Sequence, residues 1–177
     1  LQRMAGITTL IVTHDQEEAM SMADRVAVLS QGHLEQFGTP TDIYDRPQTL
    51  FVNTFVGTAN KMTGTVIAAD PTGMRVRLDA GAEIIARASQ KGIATSDKVI
   101  VCVRPEHLAF VDDDAGFAGE VGMALPLGAT VVHEIKTTDG QGIKIAQART
   151  GETPLRPPGT PVRLGLQAPG LATAYPQ

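Results

Sequence analysis

Hydrophobic and polar positions change their rhythm near residue 58. Before it, an apolar run, Ile7–Val12, ends in Thr13-His14-Asp15 and is followed at once by an acidic, helix-prone segment. The run predicts a buried strand whose C-terminal tip presents His14, with a helix opening one residue later. Asp15 and Glu18 stand at cap and third position, and Ala19, Met20, Met22 and Ala23 supply an apolar helical face ending at Asp24. Arg25–Ser30 and His33–Phe37 flank Gln31-Gly32, a hairpin pattern. Thr39-Pro40-Thr41-Asp42 opens a second helix. A third, from Pro47 to about Val56, is expected to bury Leu50, Phe51, Phe55 and Val56.

Beyond residue 58 the period shortens to two. Met74–Leu78 alternates strictly, and Val99–Val103 is apolar on both faces and predicts the most buried strand. Lys61–Ala68, Ala82–Ala88, Leu108–Val111, Phe117–Met123, Ala129–Lys136, Ile143–Ala148 and, as the last strand, Val162–Leu166 complete the series. Nine of the eleven prolines lie in this part. Eight to ten short strands with close turns predict a small barrel or a pair of barrels.

Composition narrows the function. At 42% apolar and 19% charged residues the chain has an ordinary globular make-up. Residues 1–58 hold three Lys/Arg against seven Asp/Glu, and residues 59–177 hold twelve of each. Neither part is basic, so nucleic acid is not an expected partner. One cysteine, Cys102, excludes an internal disulfide and a thiolate zinc site. His107 and His133 are isolated, and no metal site is expected. Asp112-Asp113-Asp114 reads as a solvated loop rather than a cation site. The chain begins with Leu1, and its first recognisable element is the end of an α/β unit, so a piece of a longer protein is expected.

A histidine at the carboxyl end of a strand is placed to touch a ligand. The string Thr9–Pro47, TLIVTHDQEEAMSMADRVAVLSQGHLEQFGTPTDIYDRP, resembles the last part of an ABC-transporter ATPase domain of the bacterial solute-importer type. GTPTDIYDRPQTLFVNTFVG, Gly38–Gly57, is similar to the closing segment of that domain. Val103-Arg104-Pro105-Glu106-His107-Leu108, Gly119-Glu120-Val121 and Pro126-Leu127-Gly128 resemble the regulatory TOBE domain that follows it, although Pro126 stands where the family carries an acid. The resemblance implies an α+β chain: the tail of a P-loop ATPase α/β domain over 1–58, then an all-β, OB-like TOBE barrel over 59–177.

The same resemblance implies that His14 is the switch histidine, contacting the γ-phosphate of ATP in the complete subunit, with Mg as the accompanying ion. Arg104 and Glu106, flanking Pro105, are candidate regulatory or interface residues that could bind an anion or a partner, but a structural salt bridge within the barrel is the preferred reading. Implied partners are a second copy (a homodimer), inner-membrane permease subunits and a solute-binding protein. The implied location is cytoplasmic, peripheral to the inner membrane. Phe55–Asn60 is similar to polyamine importers. The phosphate loop, the signature motif and the catalytic glutamate are missing from these 177 residues. ATP hydrolysis by this chain alone, and nucleotide bound to it, are therefore not expected. The alternative reading is a β-domain that binds a small ligand, an oxyanion or the transported solute.

Overall fold

The computed structural model describes residues 6–70, 73–112, 116–151, 153 and 155–177. A helical turn that the sequence suggests at residues 1–5, the centre of a turn it suggests at Asp70–Gly73, and two of the three consecutive acids of the expected loop (Asp113, Asp114) lie outside them. The chain divides into two compact units, one ending at Gly57 and the next starting at Thr58.

In the first unit, helix α1 (Gln16–Met22) starts where the Asp15 carboxylate accepts the Glu18 amide at 3.0 Å. The hairpin β1 (Val26–Ser30) and β2 (His33–Gly38) turns through Gln31 and Gly32, both at positive φ. This backbone suits the twist of a two-residue hairpin, and Gly32 accepts it without steric cost. Helix α2 (Pro40–Asp45) has a reciprocal capping box: Thr39 accepts the Asp42 amide, and Asp42 accepts the Thr39 amide. Helix α3 (Leu50–Phe55) is capped by Thr49. Val28, Ile43, Val52 and Val56 form the core.

Two expectations fail here. Ile7–Val12 is not a strand: it has no ladder partner among the described residues, and Leu10 and Val12 are 91% and 93% exposed. A strand without a neighbour has nothing to receive its hydrogen bonds, so apolar patterning alone does not make one. The third helix starts at Leu50, not Pro47, and its buried face is Val52 rather than Phe51 or Phe55. Those two rings are exposed and stack on each other at 5.2 Å. Val52 and, at the C-cap, Val56 join the core of this unit, Val56 as expected.

Among the described residues the second unit is all β apart from one 3-10 turn, Pro105–His107. Its first half is the expected OB-like element, a closed five-stranded barrel. β3 (Asn60–Asp70), β4 (Gly73–Leu78), β5 (Glu83–Ala88), β6 (Lys98–Val103) and β12 (Ala172–Pro176) close in the order β12-β5-β4-β3-β6. Met74, Val76 and Leu78 point inward and Arg75 and Arg77 outward, as the alternation requires. Val99, Val101 and Val103 complete the interior, so the apolar run is the buried strand expected. β12 is an additional strand beyond Val162–Leu166. It pairs parallel to β5 and antiparallel to β6, bringing the small Ala172 and Ala174 into the core. Alanine has low strand propensity, so nothing in the pattern announced it.

The other half is an open sheet, not a second closed barrel. β7 (Leu108–Phe110), β8 (Phe117–Leu127), β9 (Thr130–Thr137), β10 (Gly142–Ala148) and β11 (Pro161–Leu166) run in the order β10-β9-β8-β11-β7. A bulge at Gly122 shifts the register, so Val121 faces the core and Met123 faces out. The edge of β10 is partly covered: the Asn60 amide donates to the Lys144 carbonyl at 2.7 Å and accepts the Lys144 N–H at 2.8 Å.

Candidate functional site

His14 sits on an exposed bend immediately before α1. Its surroundings are held by short polar links. The Thr13 hydroxyl accepts the Asp15 amide at 3.0 Å, and Asp15 caps the helix. Gln16, two residues on, donates to the Phe55 carbonyl and accepts the Gly57 N–H at 2.9 Å. A single side chain therefore pins the start of α1 to the end of α3. Sequence reasoning passed over Gln16, because a glutamine at the first position of a helix carries no pattern of its own.

A nucleotide needs backbone amides and cations converging on its phosphates. A Cβ added at Gly6 would meet nothing within 4 Å. Residues 6–57 contain no lysine, and Arg25 lies over the Phe37 ring at 4.4 Å.

Arg104 and Glu106 fall at the exit of β6. Arg104 is 4% exposed, and one guanidinium nitrogen donates to the Thr58 carbonyl at 3.3 Å. Its own carbonyl accepts the His107 amide, closing the 3-10 turn. Glu106 is half-buried, and its carbonyl accepts from Gln167 at 2.8 Å. Gln167 also donates its backbone N–H to the His107 carbonyl, and the His107 ring lies 3.3 Å from the Leu171 carbonyl. The motif is thus the junction that ties β6 and β7 to the segment leading into β12. Gly119 is required by packing: a Cβ there would lie 2.6 Å from the Ile135 side chain.

Cys102 is buried in the barrel wall, and burial pushes its thiol up to about 11, against weaker opposing pulls from Lys61 and Arg104. That is a core thiol and not a nucleophile. Two shallow clefts, of about 360 and 410 Å³, lie on this unit. The first is lined by Phe110, Asp112, Arg156 and Arg163, and Arg163 donates to the Gly116 carbonyl at 2.8 Å. Among the described residues no group of three or more His, Cys, Asp or Glu could hold a metal ion.

Residues 101–172 match the family model of the TOBE domain. The chain is 39% identical over 182 aligned positions to the spermidine/putrescine import ATP-binding protein PotA of Methylococcus capsulatus, covering 99% of this chain and 46% of that protein. The corresponding protein of Ruegeria pomeroyi is 38% identical, covering 88% of this chain and 42% of that one. The sulfate/thiosulfate import ATP-binding protein CysA of Caulobacter vibrioides is 41% identical over 81% of this chain and 39% of its own length. The chain therefore spans less than half of the relatives it matches. Among solved structures, the cytoplasmic molybdate-binding protein ModG with molybdate bound superposes with a TM-score of 0.47 at 18% identity, covering 60% of this chain and 95% of that one. Residues 101–172 are a TOBE domain, in a chain that matches, over most of its own length, the ATP-binding proteins of ABC solute importers.

Proposed function

We propose that this chain works within the ATP-binding subunit of an ABC importer, where residues 1–58 close the ATPase domain and residues 59–177 form the TOBE-type regulatory domain. The similarity to importer ATP-binding proteins, extending over 99% of the chain in one case, carries this reading. In that subunit ATP hydrolysis with Mg drives solute uptake, and His14 contacts the γ-phosphate. The exposed position of His14 at the start of α1 supports the role, and Gln16 anchors the turn that presents it. The 177 residues alone do not hydrolyse ATP, because they lack a phosphate cradle. The solute is a polyamine, as the names of two of the relatives above say of theirs. The partners are permease subunits, a solute-binding protein and a second copy of the chain, on the cytoplasmic side of the inner membrane. Met123, Leu125 and Leu127, exposed on the outer face of β8, support the contact between copies. Arg104, buried, and Glu106, half-buried, are the regulatory or interface residues of this reading, at the junction between β6 and β7.

The test is a chimera in which this chain replaces the matching portion of the Methylococcus capsulatus protein. It should hydrolyse ATP, and His14→Ala should slow the reaction at least tenfold. An H14A chimera with undiminished turnover would refute the assignment. Light scattering on the isolated chain reads the dimer: a monomer at high concentration counts against it. Calorimetric titration with spermidine, putrescine, sulfate and molybdate tests whether the β-domain itself binds a small ligand.

A further inference from the structure

His133 lies in the middle of β9 with its side chain on the inner face, between Val131 and Ile135, and is 0% exposed. Neither ring nitrogen has a hydrogen-bond partner. A neutral imidazole carries one N–H donor and one acceptor nitrogen, so both are orphaned in an apolar setting. Such groups are uncommon in folded proteins, and each calls for a reason. The ring meets Phe110 of β7 edge-on, with centroids 5.1 Å apart. The guanidinium of Arg156 covers the Phe110 ring at 4.4 Å. Arg156, Phe110 and His133 thus form one stack, running from the surface cleft into the sheet interior.

We propose that His133 is an acid-sensitive latch: neutral, it seals Phe110 and the Arg156 loop onto the second sheet, and protonated, it opens that seam. The charges around it favour this direction. In register beside His133 stand Ala124 of β8 and Ile145 of β10, neither of which can compensate a cation. β7 presents Phe110, and the 155–160 segment presents Arg156, a like charge to imidazolium. Asp112 and Arg163 line the cleft with Arg156. Glu134 and Lys144 pair with each other at 3.4 Å, and as neighbours of His133 and Ile145 in the alternation they belong to the opposite face. Burial, and then Arg156, hold the imidazole below its ordinary proton affinity. A histidine depressed in the folded state contributes stability that is full above the unfolded value, near 6.5, and is lost as pH falls through the folded one. Over that window the population of the open seam rises by about tenfold per pH unit.

The test follows amide exchange and the imidazole resonance of His133 together between pH 7.5 and 5 in the whole chain. After correction for intrinsic exchange, amides of β7, β9 and residues 155–163 should lose protection below about pH 6.5, while β3, β4 and β6 keep theirs. His133→Phe should abolish the pH dependence. Arg156→Gln, which removes the like charge, should end the loss at a higher pH. An imidazole that titrates freely while the seam stays protected would overturn the proposal. So would H133F with the pH dependence intact. Should H133F fail to fold, the wild-type titration decides.

Discussion

Replacing Asn60 gives the sharpest probe of how the barrel and the open sheet of the second unit hold together. Asn60 is 5% exposed and opens β3, yet its amide bonds the edge strand β10 of the other sheet. It serves as a one-residue strand, donating to the Lys144 carbonyl and accepting the Lys144 N–H. Each net hydrogen bond stabilises by about 0.5–1.5 kcal/mol, so Asn60→Ala should cost about 1–3 kcal/mol. Asn60→Asp separates geometry from bulk. An ionised carboxylate keeps the contact with the Lys144 N–H but sets a negative oxygen against the Lys144 carbonyl. At pH 7 N60D should therefore be less stable than N60A. Protonation would restore a donor, so the folded state raises the new carboxyl's proton affinity and the deficit shrinks as pH falls toward about 4. Urea unfolding followed by circular dichroism gives the stabilities, and exchange of the Lys144 amide gives the local effect. Unchanged Lys144 protection in N60A, or equal cost for N60A and N60D at pH 7, would refute the strand-surrogate role.

Gln36, buried in the first unit, donates to the Asp42 and Arg46 carbonyls and accepts the Gln48 amide, so Gln36→Leu should lower stability by about 2 kcal/mol in urea melts. Gly64→Ala would put a Cβ 2.7 Å from the Arg77 carbonyl and 2.8 Å from the Val76 side chain, costing about 1–3 kcal/mol. Gly142→Ala meets nothing within 4 Å, and thermal melts should show it neutral or slightly stabilising. Cys102 should resist alkylation at pH 8 until denaturant is added, and its thiol should contribute stability below pH 9 that is lost as pH rises through about 11. A chain beginning at Thr58 should keep the main cooperative transition, because the barrel and sheet share one core.

The second unit was legible where its strands alternate. Met74–Leu78 and Val99–Val103 have one apolar face or two, and both fold as their pattern requires. The hairpin at Gln31-Gly32 and the Thr39 cap were legible because their chemistry is local. What escaped depends on partners distant in sequence. β12 is recruited by two strands that it closes, and its Ala-Thr-Ala sequence carries no stripe. Asn60 meets Lys144 across 84 residues. The stack at His133 arises because β7 is brought over the inner face of β9, which no spacing encodes. His14 was singled out by its place after an apolar run, although that run forms no strand among the described residues.

The two units are stabilised by different means. In the second, the apolar side chains of two sheets share one core, and its polar links secure edges and junctions. In the first, the buried apolar set is only Val28, Ile43, Val52 and Val56 among the described residues. Leu10, Val12, Leu29, Leu34 and Phe37 stay exposed in the same unit. Its order rests instead on side chains that bond backbone: Gln16 across α1 and α3, Gln36 beneath α2, and Thr49, which caps α3 and donates to Glu35 at 2.9 Å. Each such bond contributes about 1 kcal/mol, far less than a buried aliphatic side chain plus its packing. Local opening of the first unit should therefore come at lower free energy than that of the barrel. His14, on an exposed bend held by Thr13, Asp15 and Gln16, lies in the unit expected to open at the lower free energy.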